Sequence, residues 1–319
     1  MDSHTAVAEL LGAWALGACD TDEEATVEAH LGQCTMCATE ARQLRSAASW
    51  LGVEAMLPPP PALRDLTLTK ARERRPPMSL HALTAAYAMQ VSLLDRALAT
   101  VGTAGWHRAE SHHGDVRGLV SHLTGNDAQL AADLGLPVMA SAAGPHAAWR
   151  AQADVLIDGI DPDRLDPGQP VRLAGTGPPM LRPLREALVQ RAFETWTHLD
   201  DLSVIVGRPP SVPPPDQVRR IVDLAVGLLP DALRVHGVTR PGRSVRLALD
   251  GPGAGEWTLP LGHRMPGASA LELTIYARAV DFTRLVANRR QADTFDHIAT
   301  GDADLAVSVL RVASTLGCD

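Results

Sequence analysis

His30, Cys34 and Cys37 stand in the order H-x3-C-x2-C. Two thiols and an imidazole at this spacing supply three of the four donors of a structural zinc, because closed tetrahedral sites prefer Cys and His. The bland alternative makes Cys34 and Cys37 small core residues and His30 a surface residue. A histidine four positions before the CxxC pair favours the metal. A fourth ligand is required, and His4 and Cys19 compete for the place. If the first two helices pack antiparallel, His4 at the start of the first reaches the end of the second, while Cys19 lies at the far end of that hairpin. His4 is therefore the expected fourth ligand, and Cys19 a packing residue.

A second constellation lies further on. Glu194 and His198 are four residues apart on one predicted helix, so both side chains can face one point. His122, on another helix, could add a third donor. Two imidazoles and a carboxylate leave a position open for water or a thiolate. Spacing alone fits a core histidine at 122 and a solvated pair at 194 and 198 equally well. Arg289 offers paired donors for a substrate carboxylate, although a surface arginine is the plainer reading. His112 and His113 read as loop residues, and His146, His236, His263 and His297 have no local metal partner.

These residues need elements to position them. Residues 1–50 read as three short helices, Ala6 to Leu16, Asp22 to Leu31 and Thr35 to Leu51. Asp20 and Thr21 stand before Glu23 and Glu24, an entry in which side-chain oxygens cap free amides and carboxylates meet the positive helix end. Pro58 to Pro61 then stop any helix by removing donors and restraining their predecessors, and the run acts as a semi-rigid spacer. Ala62 to Arg74 has room for one more short helix before Pro76 and Pro77. From Ser79 onward Leu80, Leu83, Tyr87, Val91 and Leu94 recur at helical spacing, and similar patterns cover Asp115 to Leu134, Pro145 to Ile160 and Leu181 to Ile205. Four amphipathic helices predict a bundle. After the Pro-rich segment 208–215, Gln217 to Leu229 is helical. Val245 to Leu249, Glu256 to Leu261 and Leu271 to Tyr276 have strand patterning, and helices follow at Asp281 to Asn288 and Ala303 to Leu316.

Composition bounds the function. A chain of 319 residues should form two or three compact units. With 45% hydrophobic and 21% charged residues it has the balance of a soluble globular protein. Its net charge of −8 argues against direct binding to nucleic acid. Its apolar runs are shorter than the ~20 residues that span a bilayer. Neither a membrane span nor a signal peptide is expected, which makes the cytoplasm the default location. Four cysteines at 19, 34, 37 and 318 do not outline a disulfide framework in such a reducing compartment.

His4, the run Leu10-Leu11-Gly12-Ala13-Trp14-Ala15-Leu16-Gly17, Glu28-Ala29-His30-Leu31 and Cys34-Thr35-Met36-Cys37 resemble the zinc-binding anti-sigma factor family. Pro59-Pro60-Pro61-Ala62-Leu63-Arg64-Asp65 resembles the linker and fourth helix of that family. The resemblance implies a sigma factor as partner, clamped by helices and blocked from RNA polymerase. Leu119-Val120-Ser121-His122-Leu123 and Glu194-Thr195-Trp196-Thr197-His198 resemble the metal motifs of DinB-like bundles, particularly the mycothiol-dependent maleylpyruvate isomerases. Gly114-Asp115-Val116-Arg117 departs from the pattern Trp-Thr-Val-Arg familiar before the first motif. This resemblance covers about residues 79 to 317 and assigns His122, Glu194 and His198 to a divalent metal, zinc by preference, with mycothiol as its thiol.

The expected fold is mainly α. A zinc-binding module spans 1–57, a Pro-rich linker with a short sigma-contacting helix 58–78, a DinB-like four-helix bundle 79–207, and a small α+β sterol-carrier-like unit 208–319. The expected function is a zinc-binding anti-sigma factor whose isomerase-like part senses a low-molecular-weight thiol or other small molecule. An active metal- and mycothiol-dependent maleylpyruvate isomerase or thiol transferase is the alternative.

Overall fold

A computed structural model describes residues 3–51, 79–110, 112–139, 144–175, 179–262 and 270–317. The expected linker and short helix at 58–78, together with His263 and Cys318, lie outside the described residues. The chain divides into two compact units, Met1–Glu73 and Arg74–Asp319. It is mostly helical, with ten α-helices among the described residues and a small sheet.

In the first unit α1 (Ser3–Ala15), α2 (Thr21–Leu31) and α3 (Thr35–Leu51) pack on one another. Asp20 caps α2: its carboxylate accepts from the amides of Asp22 and Glu23, while Glu23 accepts from the Asp20 amide. This reciprocal box satisfies donors that have no partner inside the helix. Gly17 turns the chain after α1 with φ +70°, a conformation that costs glycine little. The buried core is small, comprising Val7, Leu11, Trp14, Val27, Cys37 and Ala41. The Arg45 guanidinium lies 3.8 Å over the Trp14 ring and adds a cation–π contact at its edge.

The second unit opens with α4 (Leu80–Leu98), capped by the Ser79 hydroxyl. A short antiparallel hairpin, β1 (Ala109–Glu110) and β2 (Gly114–Asp115), leads into α5 (Val116–Asp133). Next come α6 (Pro145–Gly159), the pair β3 (Pro170–Arg172) and β4 (Leu181–Pro183), and α7 (Leu184–Ile205). In the resulting four-helix bundle α4 packs along α7 and α5 along α6. α7 is enclosed on nearly all sides, with sixteen of its residues buried. Those sixteen include Gln190, Arg191, Glu194, Thr195, Thr197 and His198, so this helix carries polar groups into the core. Thr195, Thr197 and Ser203 satisfy their hydroxyls by donating to carbonyls one turn earlier.

α8 (Pro215–Val235) runs through Pro230, six residues past the end expected at Leu229. Its buried face continues to Leu233, and packing of that face outweighs the backbone bond Pro230 cannot make. A four-stranded sheet follows in the order β6 (Gly255–Pro260), β5 (Arg243–Asp250), β7 (Ala270–Arg278), β8 (Ile298–Gly301). β5 and β7 are parallel, and the other pairs antiparallel. α9 (Ala279–Val286) and α10 (Ala303–Ala313) both pack on α8. One apolar core continues from Leu80 in the bundle to Ala313 in α10, with no break at the expected boundary after residue 207. The Pro-rich segment there is tied down, since Ser211 receives a bond from Trp196 and donates its amide to Asp200.

Candidate metal centres

The first centre forms where the start of α1 meets the end of α2 and the start of α3. Ligand atoms of His4, His30, Cys34 and Cys37 all lie within 4.8 Å of one another. His4 Nδ1 stands 3.7 Å from the Cys34 sulfur and 3.5 Å from that of Cys37. The His4 and His30 rings are tilted at a centroid distance of 5.6 Å. His30 Nε2 is buried and has no hydrogen-bond partner among the described residues, the orphaned donor atom a metal would satisfy. Two thiols and two imidazoles fit tetrahedral zinc. The Cys37 backbone amide holds the Cys34 thiol below its usual range, whereas burial pushes the Cys37 thiol up. Zinc would draw both into the thiolate form. Cys19 is outside this group, and its sulfur lies 3.9 Å from the Leu10 carbonyl oxygen.

The second centre is built on α5, α7 and the β1–β2 turn. His113, His122 and His198 bring ligand nitrogens within 4.8 Å of one another. The His113 ring stacks on His122 at 4.3 Å and meets His198 edge-on at 4.9 Å. His113, read from sequence as a loop residue, thus belongs to the cluster. Its signal was the tight turn His112-His113-Gly114 immediately before the helix that carries His122.

Glu194 is beside the cluster, with Oε1 2.6 Å from His122 Nε2 and 2.5 Å from the Asn126 amide that donates to it. Its Oε2 pairs with the Arg191 guanidinium. His198 is fully buried and its Nδ1 is 2.9 Å from Asp201 Oδ2, which makes Nε2 the nitrogen able to ligate. Arg289, considered for a substrate carboxylate, instead grips Asp201 through two bonds of 3.0 and 2.6 Å. Only 11% of its side chain is exposed, so it is not a surface arginine either. Burial raises the Asp201 carboxyl, but His198 and Arg289 outweigh it and hold the group below the usual carboxylate range. An ionised Asp201 is thereby kept behind His198.

Arg191 also faces Asp127, at 3.6 Å. Asp127 is completely buried, and burial lifts its carboxyl from 3.8 to about 6, against the pull of Arg191. The native state then binds this proton more tightly than the unfolded chain does. The stability from Asp127 is present in full below about pH 4 and is lost as pH rises through about 6. Subtracting the pH–stability profile of the Asp127→Asn variant from that of the native chain should leave a component that falls across this window. A difference rising with pH would refute it.

Residues 5–38 match a family model described as "Putative zinc-finger". No curated protein matches the chain. Two crystal structures, of a mycothiol-dependent maleylpyruvate isomerase and of its histidine-to-alanine mutant, each share 16% identity with it. Each match covers 68% of this chain and 92% of the other, at a TM-score of 0.43.

Proposed function

We propose that this chain is a zinc-binding anti-sigma factor in which the first unit sequesters a sigma factor of RNA polymerase. The four convergent donors His4, His30, Cys34 and Cys37 carry this reading, because they lie within the motif that resembles zinc-binding anti-sigma factors. Three of them, His30, Cys34 and Cys37, fall inside the segment matching the zinc-finger model, and His4 stands one residue before it. A zinc there would hold the ends of three helices together and so shape the surface offered to the partner. The second unit, with a divalent metal held through His122 and His198, with Glu194 at hand, is the sensor in this reading. A metal at that site would lower the pKa of a bound low-molecular-weight thiol such as mycothiol. Thiol binding changes sigma affinity only if it differs between the sigma-free and sigma-bound states. Among the described residues no helix is long and apolar enough to cross a membrane.

The cluster of three imidazoles, His198 buried and His113 and His122 half-buried, supports a second reading, an active metal- and mycothiol-dependent maleylpyruvate isomerase or thiol transferase. Capture from native cells by the full chain, with the captured protein identified by mass spectrometry, separates the two. The native chain should retain a sigma factor and Cys34→Ser should lose it. Sigma affinity should then change with mycothiol in the native chain but not in the His122→Ala, Glu194→Ala double variant. Thiol-dependent turnover of maleylpyruvate without sigma binding would establish the enzyme reading instead.

A further inference from the structure

Three observations bear on how the second centre is completed, and they rest on the reading that this unit binds a divalent metal. First, the nitrogens that lie within 4.8 Å of one another belong to His113, His122 and His198, and Glu194 stands beside that set, its Oε1 2.6 Å from His122 Nε2. Second, the backbone around His113 is held from several directions. Glu110 Oε2 accepts from the amides of both His112 and His113, at 2.9 and 2.6 Å. Gly114 follows with φ +82° and turns the chain into β2. Gly118, in the first turn of α5, lies so close that a Cβ there would be 2.1 Å from the His113 carbonyl oxygen. That approach is open only to glycine, and it seats the turn directly on the helix bearing His122.

Third, both oxygens of Glu194 are already engaged. Oε1 serves Asn126 and His122, and Oε2 serves Arg191. A carboxylate that bonds one imidazole nitrogen and is neutralised by a guanidinium has the features of an outer partner, which orients a ligating histidine through its other nitrogen. Asp201 stands in the same relation to His198, with Arg289 as its counter-charge. Two of the three imidazoles therefore have a carboxylate behind them.

We propose that His113 is the third protein ligand of this centre, giving a site of three imidazoles, and that Glu194 acts as the outer carboxylate of His122. Three nitrogen donors suit zinc, or cobalt in its place, and leave one position open. Because all three donors are neutral, the cation keeps its full charge and the open position favours an anionic donor. The residue that closes the site comes from a hairpin turn rather than from the bundle helices.

The test titrates cobalt(II) into the full chain with zinc retained in the first unit, and follows visible absorption and cobalt-edge X-ray absorption. The native chain should take one further cobalt, with scattering from three imidazoles. His113→Ala should weaken binding by about tenfold or more and change the visible bands, whereas Glu194→Gln should keep the bands with a smaller loss of affinity. Circular dichroism checks folding, and His113→Asn, which retains a polar side chain in the turn, serves as a second variant. Native affinity and bands in both His113 variants, with loss in Glu194→Gln, would overturn the proposal while leaving a metal on His122, Glu194 and His198. Absence of any bound cobalt in the native chain would overturn both readings.

Discussion

Cys34→Ser should strip zinc from residues 3–51 and unfold that unit, while Cys19→Ser should leave the metal content unchanged. Among its described residues the unit buries six side chains as its core, one of them the candidate ligand Cys37. A core of that size supplies little of the free energy needed to order three helices. Structural zinc binding in small modules is worth roughly 10–16 kcal/mol and appears directly as folding free energy. Losing one thiolate should therefore cost most of the unit's stability. Cys19 makes one long sulfur contact to the Leu10 carbonyl, and losing it should cost about 1 kcal/mol or less. Metal analysis and amide-exchange protection in the full chain measure both effects. Protected α1 to α3 in a zinc-free Cys34→Ser chain would refute the expectation, as would loss of zinc on replacing Cys19.

Arg191→Ala should destabilise the second unit by about 3–5 kcal/mol, the cost of leaving buried charge unpaired. The side chains of Arg191 and Glu194 are each 2% exposed and that of Asp127 1%. One guanidinium thus faces two carboxylates deep in the bundle, and removing it leaves both without their cation. Urea unfolding of the full chain, followed at the near-ultraviolet signal of buried Trp149 and Trp196, reads the loss. Arg191→Met combined with Asp127→Leu removes one charge along with its partner and should recover part of it. A loss below about 1 kcal/mol in Arg191→Ala would place the network in the range of solvent-screened surface pairs.

Much of the scaffold was legible because its signals are local. The cap at Asp20, the Ser79 entry to α4, the apolar repeat of α4 and the strand patterning of β5 each act within a few residues, where backbone chemistry dominates. The spacing His30, Cys34, Cys37 belongs to the same class, since one helix junction brings all three together. Short pairings were less visible. β8 and the hairpin β1–β2 have two to four residues per strand, too few for alternation to register, and depend on partners elsewhere in the chain.

The sequence by itself marked His30, Cys34, Cys37, His122 and His198 as candidate ligands and showed the helices that position them, because residue type and helical period are local properties. Tertiary structure decided the remaining questions. His4 joins the first cluster and Cys19 does not, because packing of α1 against α2 and α3 sets which end of the hairpin meets the CxxC. Glu194 reads as an i,i+4 partner of His198, but Arg191 and Asn126 compete for its oxygens inside the bundle. Arg289 finds Asp201 across 88 positions of sequence, a pairing no local pattern encodes. His113 enters the second cluster because Gly118 admits its carbonyl and Glu110 holds its amide. The physical reason is common to all four: a charge or imidazole wholly or partly withdrawn from solvent takes the best partner within reach, and reach is set by packing rather than by spacing along the chain.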